Sequence, residues 1–223
     1  MRPGCAGPRA SEDTVIYLDI ETIPIGVPDP ARVKVPRSYK DPAKIEQYRA
    51  THAEEEHAKG SLHALTGRVL CIGVAVGDDD PVCLYGGGTD EDEVRILDGL
   101  QRGLHGKRGD ICTFNGNSFD LPFLVRRSWR HSMLHLAERL RPTKPWDTRF
   151  VDVRQVWGCG DFRPRGTLDE VAELLGIERP DNPIDGSEVW ARYRAGDHDA
   201  IRAHVLDDVR TLRLVAQRLG VSP

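Results

Sequence analysis

A short apolar segment that ends in two acidic residues constrains the fold of this chain more than any other feature. Residues 14–20, TVIYLDI, are rich in β-branched and apolar side chains, which predicts a first β-strand. Side chains alternate between the two faces of a strand, so Asp19 and Glu21 project from the same face at its C-terminal end. Two neighbouring carboxylates repel each other, and a cation between them relieves the repulsion. A strand end that faces water tolerates the same acids, so the pair alone is compatible with a cation site or with a solvated strand end.

The segments that follow predict one α/β domain over residues 14–223, with a mixed β-sheet flanked by helices. Further strands are expected at residues 68–76, 81–85 and 110–114. Helices are expected at residues 89–102, 118–130, 167–176 and 199–219, the first three of them capped by Thr89, Ser118 and Thr167.

Residues 25–67 form an insertion between the first two strands. Asp41-Pro42 is a favourable helix start, which predicts a helix from Pro42 to about Leu62. This helical insertion is either a lid over the end of the sheet or a surface decoration.

The composition excludes several classes of protein. The formal net charge is −4, so a uniformly basic surface for nucleic acid is excluded, whereas a local basic face is not. No apolar run approaches the ~20 residues that a membrane-spanning helix needs. Residues 1–13 have no apolar core and are expected to be a disordered lead rather than a secretory signal. The five cysteines are scattered without a C-x-x-C pair, which disfavours a disulfide framework and predicts a cytoplasmic protein.

The last predicted helix carries a carboxylate in an apolar stripe. The stripe steps by four and three residues through Ile201, Val205, Asp208, Leu212, Val215 and Leu219. Asp208 is the only charged member, and His204 lies one turn before it, whereas Asp207 is expected to face solvent. A buried carboxylate is costly unless it is paired or bound to a cation. The alternative is a His–Asp pair that only closes the edge of the core.

A third acidic residue follows the fourth predicted strand. In the segment TFNGNSFDLPFL, Asn115-Gly116 forms a turn and Asp120 falls in the first turn of the next helix. The helix dipole stabilises an acid in that position, and this role requires no ligand.

Three segments, taken in order, resemble the motifs of the DEDD superfamily of 3′–5′ exonucleases, which have a ribonuclease-H-like fold. They are YLDIETIP, FNGNSFDLPFL and HVLDDVRTL. The chain is most similar to the stand-alone bacterial proteins related to the proofreading exonuclease domain of family-B DNA polymerases. The segments VPRSYKDPAKIEQY and IDGSEVWARYRAG also resemble that group, and the likeness extends from Val15 to Leu219.

The resemblance implies that Asp19, Glu21, Asp120 and Asp208 bind two divalent cations, Mg²⁺ or Mn²⁺, which clamp the scissile phosphate. It implies that Asp19 bridges both ions, that Glu21 and Asp208 hold the ion carrying the attacking water, and that Asp120 binds the other. The family places a Tyr four residues, or a His five residues, before the last Asp, whereas here a His stands four before it. His204 is therefore expected to act as the general base or to orient the water, without a ligand role.

The resemblance thus implies a metal-dependent 3′–5′ exonuclease that hydrolyses single-stranded DNA. RNA is the alternative substrate, because the four acids contact only phosphate and nothing in the sequence recognises the 2′-hydroxyl. A ribonuclease-H-like module that binds nucleic acid without cutting it is the alternative of a different class.

The substrate side is predicted from a basic stretch that follows Asp120. Residues 121–150 contain seven basic and two acidic residues, and Arg126 and Arg127 are the first two basic ones. Such a stretch binds the phosphate backbone, although an ordinary Arg-rich helix surface has the same pattern. Asn115 and Phe119 correspond to positions where related enzymes approach the 3′-terminal nucleotide, so the resemblance implies that they contact substrate.

Overall fold

A five-stranded mixed sheet forms the centre of the computed structural model, which describes residues 14–107, 109–144, 147–161, 163–179 and 184–221. The predicted disordered lead at residues 1–13 lies outside these ranges. The strands stand in the order β3-β2-β1-β4-β5. They are β1 (Ile16–Pro24), β2 (Gly67–Val76), β3 (Val82–Tyr85), β4 (Ile111–Thr113) and β5 (Phe150–Asp152). β1 pairs antiparallel with β2 and parallel with β4, and β4 pairs parallel with β5.

The helices cover both faces of this sheet. They are α1 (Pro42–Ala58), α2 (Asp90–Leu104), α3 (Asp120–Arg130), α4 (Leu134–Leu140), α5 (Val153–Trp157), α6 (Leu168–Leu174), α7 (Val189–Arg194) and α8 (His198–Arg218). Short 3-10 helices occupy Pro30–Arg32, Lys59–Leu62 and Gly186–Glu188. The predicted mixed sheet with flanking helices and a helical insertion after the first strand is therefore confirmed. No helix in the described ranges is long and apolar enough to cross a membrane.

Local sequence signals explain most helix starts. Thr89 and Thr167 each form a capping box, with Asp92 and Glu170 respectively, in which side chain and backbone exchange hydrogen bonds. The expected cap at Ser118 is wrong. The backbone N–H of Ser118 donates to the carbonyl of Asn115 in a turn, and α3 begins only at Asp120.

A single glycine allows α8 to approach the sheet closely enough to complete a site there. Gly73 on β2 is paired with Asp19 on β1, and a Cβ at Gly73 would come within 2.7 Å of the Val209 side chain and 2.8 Å of the Val205 carbonyl oxygen. Any side chain at this position would push α8 outwards. The close contact holds α8 over the face of the sheet from which Asp19 projects.

A buried ion pair joins α2 and α3 on the opposite face of the sheet. Glu93 is fully buried, and its carboxylate accepts hydrogen bonds from Arg127 Nε at 2.8 Å and from Arg127 Nη2 at 2.5 Å. The same carboxylate accepts from the Val69 amide and contacts His131 Nε2, both at 2.8 Å. Arg127 Nη1 donates to the Ala64 carbonyl oxygen. The prediction that Arg127 binds substrate is therefore corrected, because its guanidinium is inside the protein and bonded to internal partners.

Candidate functional site

The carboxylates of β1 lie where the strand runs under α8. Asp19 is partly buried and Glu21 is buried, and a register shift between Glu21 and Thr22 interrupts the pairing with β2. β1 is the central strand of the sheet, so polar side chains here have little access to solvent. These acids consequently depend on neighbouring polar groups for compensation.

α8 supplies two further groups to the same place. His204 Nε2 lies 3.1 Å from Glu21 Oε1 and 3.7 Å from Asp208 Oδ2. One potential ligand atom from each of these three residues lies within 4.8 Å of the others. His204 thus lies among the possible cation ligands. The family resemblance implied only that it transfers a proton or orients water, without a ligand role. Its Nδ1 is buried and has no hydrogen-bond partner among the described residues.

Asp207, beside this group, does not face solvent as expected. Its side chain is buried and accepts a hydrogen bond from Arg210 Nη1 at 2.7 Å. The pair spans one turn of α8, so Asp207 is compensated within its own helix and does not take part in the cluster.

Asp120 enters from the start of α3, and a second carboxylate shapes the loop before it. Asp152, buried at the end of β5, accepts hydrogen bonds from the backbone amides of Asn115 at 2.8 Å and Asn117 at 3.1 Å. Asn115 adopts a left-handed conformation with φ of 65°, which asparagine tolerates better than most residues. Asp152 therefore anchors the turn that leads into Asp120.

The buried carboxylates have a raised affinity for protons. Burial, followed by the charges of Asp120, Asp208 and Glu21, raises the pKa of Asp19 well above its usual value. Burial raises the pKa of Asp120 to about 7, although the backbone amides of Asp120 and Ile20 lower it. Burial likewise raises the pKa of Glu21, against the hydrogen bond from His204. The cluster is an unfavourable place for several negative charges and a favourable one for a cation.

The ionisation of His204 is coupled to the same carboxylates. Burial by itself lowers the pKa of His204, but the hydrogen bond with Glu21 and the charges of Glu21 and Asp208 outweigh it, so the pKa is raised. These acids therefore favour the protonated imidazolium.

The donor set suits a hard divalent cation. Glu21, Asp208 and His204 lie together, and Asp19 and Asp120 are close enough to interact electrostatically with these acids. Carboxylate oxygens are the ligands that Mg²⁺ and Mn²⁺ prefer. A bound cation takes the place of the protons on these buried acids and relieves the repulsion between their negative charges. The described residues thus fit the metal ions that the sequence resemblance implied.

Arg179 is a site residue that the sequence gave no reason to select. Its Nη2 lies 2.5 Å from Asp208 Oδ1, and its Nη1 forms an ion pair with Asp169 of α6. The residue lies in the loop after α6, and no periodic pattern marks it. Arg179 thus places a permanent positive charge beside one of the four acids.

The residues predicted to contact substrate differ in how accessible they are in the structure. Arg126 is exposed on α3, one residue from the buried Arg127. Phe119 packs against Phe123 and the core beneath α3, with ring centroids 5.6 Å apart. Asn115 lines a pocket of about 250 Å³ with Arg154 and Arg163. Neither of these arginines was expected, and the only sequence signal is that Arg154 follows Asp152 by two residues.

The raised pKa of Asp120 predicts how pH affects the metal-free protein. Proton binding favours the folded state, so this contribution to stability is complete below the ordinary value of 3.8 and is lost as pH rises to about 7. In EDTA, the free energy of unfolding of wild type should therefore fall relative to that of Asp120→Asn between these pH values, by on the order of a few kcal/mol. Urea denaturation at a series of pH values measures the difference. A difference that does not depend on pH would mean that Asp120 is not held in a proton-binding environment.

Comparisons with known proteins agree with this fold. Residues 59–220 match a family model, RNase_H_2, described as RNase_H superfamily. Among solved structures, the chain is similar to the family B DNA polymerase from the hyperthermophilic archaeon Pyrobaculum calidifontis, with a TM-score of 0.62 and 21% sequence identity. The alignment covers 98% of this chain and 25% of the polymerase chain, so this chain spans about a quarter of the polymerase's length. The comparison with curated proteins finds no match.

Proposed function

The chain belongs to the RNase_H superfamily, and from this membership and its buried acidic cluster we propose that it is a metal-dependent 3′–5′ exonuclease that hydrolyses single-stranded DNA. The observation that carries the proposal is the convergence of acids from β1, α3 and α8. Asp19 interacts electrostatically with Asp120, Asp208 and Glu21, although these residues are up to 189 positions apart in the chain. A structural role does not require several buried like charges in one place.

The four acids Asp19, Glu21, Asp120 and Asp208 would hold two Mg²⁺ or Mn²⁺ ions. When bound, such ions stabilise the charge that develops on a scissile phosphate and lower the pKa of water. The reaction breaks the bond between phosphorus and the 3′ oxygen of the preceding nucleotide. A water oxygen adds to phosphorus, the departing 3′ oxygen receives a proton, and a nucleoside 5′-monophosphate is released.

His204 is the residue proposed to accept the proton from that water. Nε2 is the atom that faces Glu21 and Asp208, so it is where the proton would be held. The two carboxylates stabilise the imidazolium that results. Only the neutral imidazole accepts a proton, so activity should fall as pH decreases through the pKa of this residue.

His204→Ala is expected to lower kcat by about 10²-fold and to remove the acidic limb of the pH–rate profile. His204→Gln keeps a hydrogen-bond donor near Glu21 but cannot take up a proton, so it should be as inactive as His204→Ala. Initial rates at saturating Mn²⁺ across pH measure both effects. If His204→Gln keeps wild-type kcat with an unchanged profile, His204 only positions Glu21 and the base is another group.

The direction of hydrolysis and the choice between DNA and RNA are tested by digesting labelled oligonucleotides with Mn²⁺ present. A 5′-labelled DNA oligonucleotide should give a ladder of progressively shorter labelled products, whereas a 3′-labelled one should release labelled mononucleotide from the start. EDTA and Asp19→Asn provide the controls for metal dependence. The reverse pattern would contradict the 3′–5′ polarity, and cleavage of RNA alone would make the chain an exoribonuclease. Binding without cleavage of either polymer would favour a non-cleaving nucleic-acid module.

The proposed substrate contacts are the exposed Arg126, the loop residue Asn115 and the partly buried Phe119. Arg126 follows Asp120 on α3 by six residues, and its exposure leaves the guanidinium accessible to a phosphate. Asn115 is held next to the site because its backbone N–H donates a hydrogen bond to the Asp152 carboxylate. These positions support binding of the 3′-terminal nucleotide at the start of α3.

A further inference from the structure

A second pocket, with a volume of about 610 Å³, lies at the edge strand of the sheet. We refer to it as the β3-edge pocket. Side chains from the end of β3 and from α2, α7 and α8 line it, namely Tyr85, Arg95, Tyr193, Arg194, His198 and Arg202. Three of these six are arginines, and no acidic side chain lines the pocket within the described ranges. The lining is therefore suited to an anion.

Each of the three arginines is paired with one acidic residue outside the lining, and the partner of Arg95 is Asp92, whose side chain is only 16% exposed. The other two pairs are more exposed. Arg202 Nη1 contacts Asp199 at 2.8 Å, but Asp199 is 97% exposed. Arg194 Nη1 contacts Glu54 of α1 at 2.5 Å, and both side chains are about half exposed. Exposed ion pairs of this kind contribute little and are easily exchanged. An arginine carries five N–H donors, so one such contact does not exhaust its capacity to bind an anion.

Aromatic contacts hold part of this lining in a defined geometry. The Arg202 guanidinium carbon lies 4.2 Å from the centroid of the Tyr85 ring. The Tyr85 hydroxyl lies 2.7 Å from His198 Nδ1, and burial raises the pKa of Tyr85, so the hydroxyl keeps its proton. When that hydroxyl donates to Nδ1, the other ring nitrogen of His198 carries a hydrogen and is a donor. Tyr193 is fixed through its hydroxyl, which donates to the Gly87 carbonyl oxygen.

The pocket is connected to the acidic cluster through the sheet and through α8. Tyr85 is paired with Cys71, and Cys71 is paired with Glu21, so two strand spacings of roughly 5 Å each separate Tyr85 from Glu21. Along α8, Arg202 precedes Asp208 by six residues, about 9 Å. Measured through the protein, the β3-edge pocket thus lies on the order of 10 Å from the acidic cluster.

We propose that the β3-edge pocket binds a phosphate group of the nucleic-acid strand on the 5′ side of the scissile bond. The inference rests on the proposed function for the presence of a strand. Arginine forks match the oxygens of a phosphate, and interleaved aromatic rings are typical of surfaces that bind single strands. Such a second contact would give the enzyme a preference for strands long enough to reach it.

The test compares two variants with matched surroundings. Arg95→Ala/Arg202→Ala removes two cations from the pocket, and Arg102→Ala is the control for substituting an arginine on α2. Arg95 and Arg102 are 67% and 72% exposed, and each is paired with an aspartate one turn earlier. Anisotropy of a fluorescein-labelled oligothymidylate in EDTA should show at least about fivefold weaker binding for the double variant only. Its log–log salt slope should fall by about one for each lost contact.

A small substrate separates this site from the catalytic one. Hydrolysis of the p-nitrophenyl ester of thymidine 5′-monophosphate needs only the acidic cluster, so the double variant should retain the wild-type rate. Equal oligonucleotide affinity in the double variant and Arg102→Ala would overturn the proposal, as would an equal loss of small-substrate hydrolysis. If inorganic phosphate raises the melting temperature of wild type but not of the double variant, while oligonucleotide affinity is unchanged, the ligand is a free phosphate and the strand proposal is wrong. If wild type cleaves nothing but the double variant still loses oligonucleotide affinity, the proposed function fails and the pocket assignment stands.

Discussion

Replacement of Asp19 by asparagine should reduce nuclease activity by about 10³-fold or more, because a cation ligand is worth several kcal/mol to the transition state. Asparagine has nearly the same shape, so the substitution removes the charge and keeps the packing of β1. It also removes one member of a set of mutually repelling acids, so the metal-free variant should be at least as stable as wild type. Single-turnover cleavage with Mn²⁺ measures the loss.

A thermal readout distinguishes loss of metal binding from loss of fold. Mn²⁺ should raise the melting temperature of wild type and raise that of Asp19→Asn much less, since ligands stabilise only the state they bind. Asp185→Asn is a matched control, because Asp185 is exposed, lies close enough to Glu21 to affect its pKa, and caps a 3-10 helix as asparagine also can. Wild-type turnover in Asp19→Asn would show that the metal-site assignment is wrong.

The second large effect is on stability, at the buried Glu93–Arg127 pair. Arg127→Met removes the guanidinium and leaves the Glu93 carboxylate buried with the His131 and Val69 contacts alone. Breaking one side of a buried ion pair costs about 3–5 kcal/mol. In a chain of this length the melting temperature should fall by roughly 6–20 °C. Differential scanning calorimetry of the two proteins gives the comparison.

The neighbouring arginine provides the control for this substitution. Arg126→Met changes the same charge on the same helix at an exposed position, so its stability should stay within about 0.5 kcal/mol of wild type. It should instead lower the salt slope of oligonucleotide binding by about one, if Arg126 contacts phosphate. Replacing both partners, as in Glu93→Leu/Arg127→Met, should recover part of the stability that Arg127→Met loses. Equal stability of Arg126→Met and Arg127→Met would contradict the buried pair.

Much of the fold and of the acidic cluster could be predicted from the sequence because the signals are local. The two-residue period of a strand places Asp19 and Glu21 on one face, and the helical period places His204 one turn before Asp208. The capping boxes at Thr89 and Thr167 likewise depend on residues three positions apart. β5 was not predicted, because its residues FVD follow the polar Thr148-Arg149 and lead directly into α5, so they form no apolar run.

Only the tertiary structure decided which charges are buried and what they contact. Arg126 and Arg127 are indistinguishable by charge pattern, yet one helical step of 100° turns the first to solvent and the second to Glu93. Arg179 contacts Asp208 from a distant part of the chain. The three arginines at the β3 edge likewise come from α2 and from α7 and α8, which are far from α2 in the sequence. The partner of a charged side chain is set by how distant elements pack, as where Gly73 admits α8 to the sheet, and no local period encodes that packing.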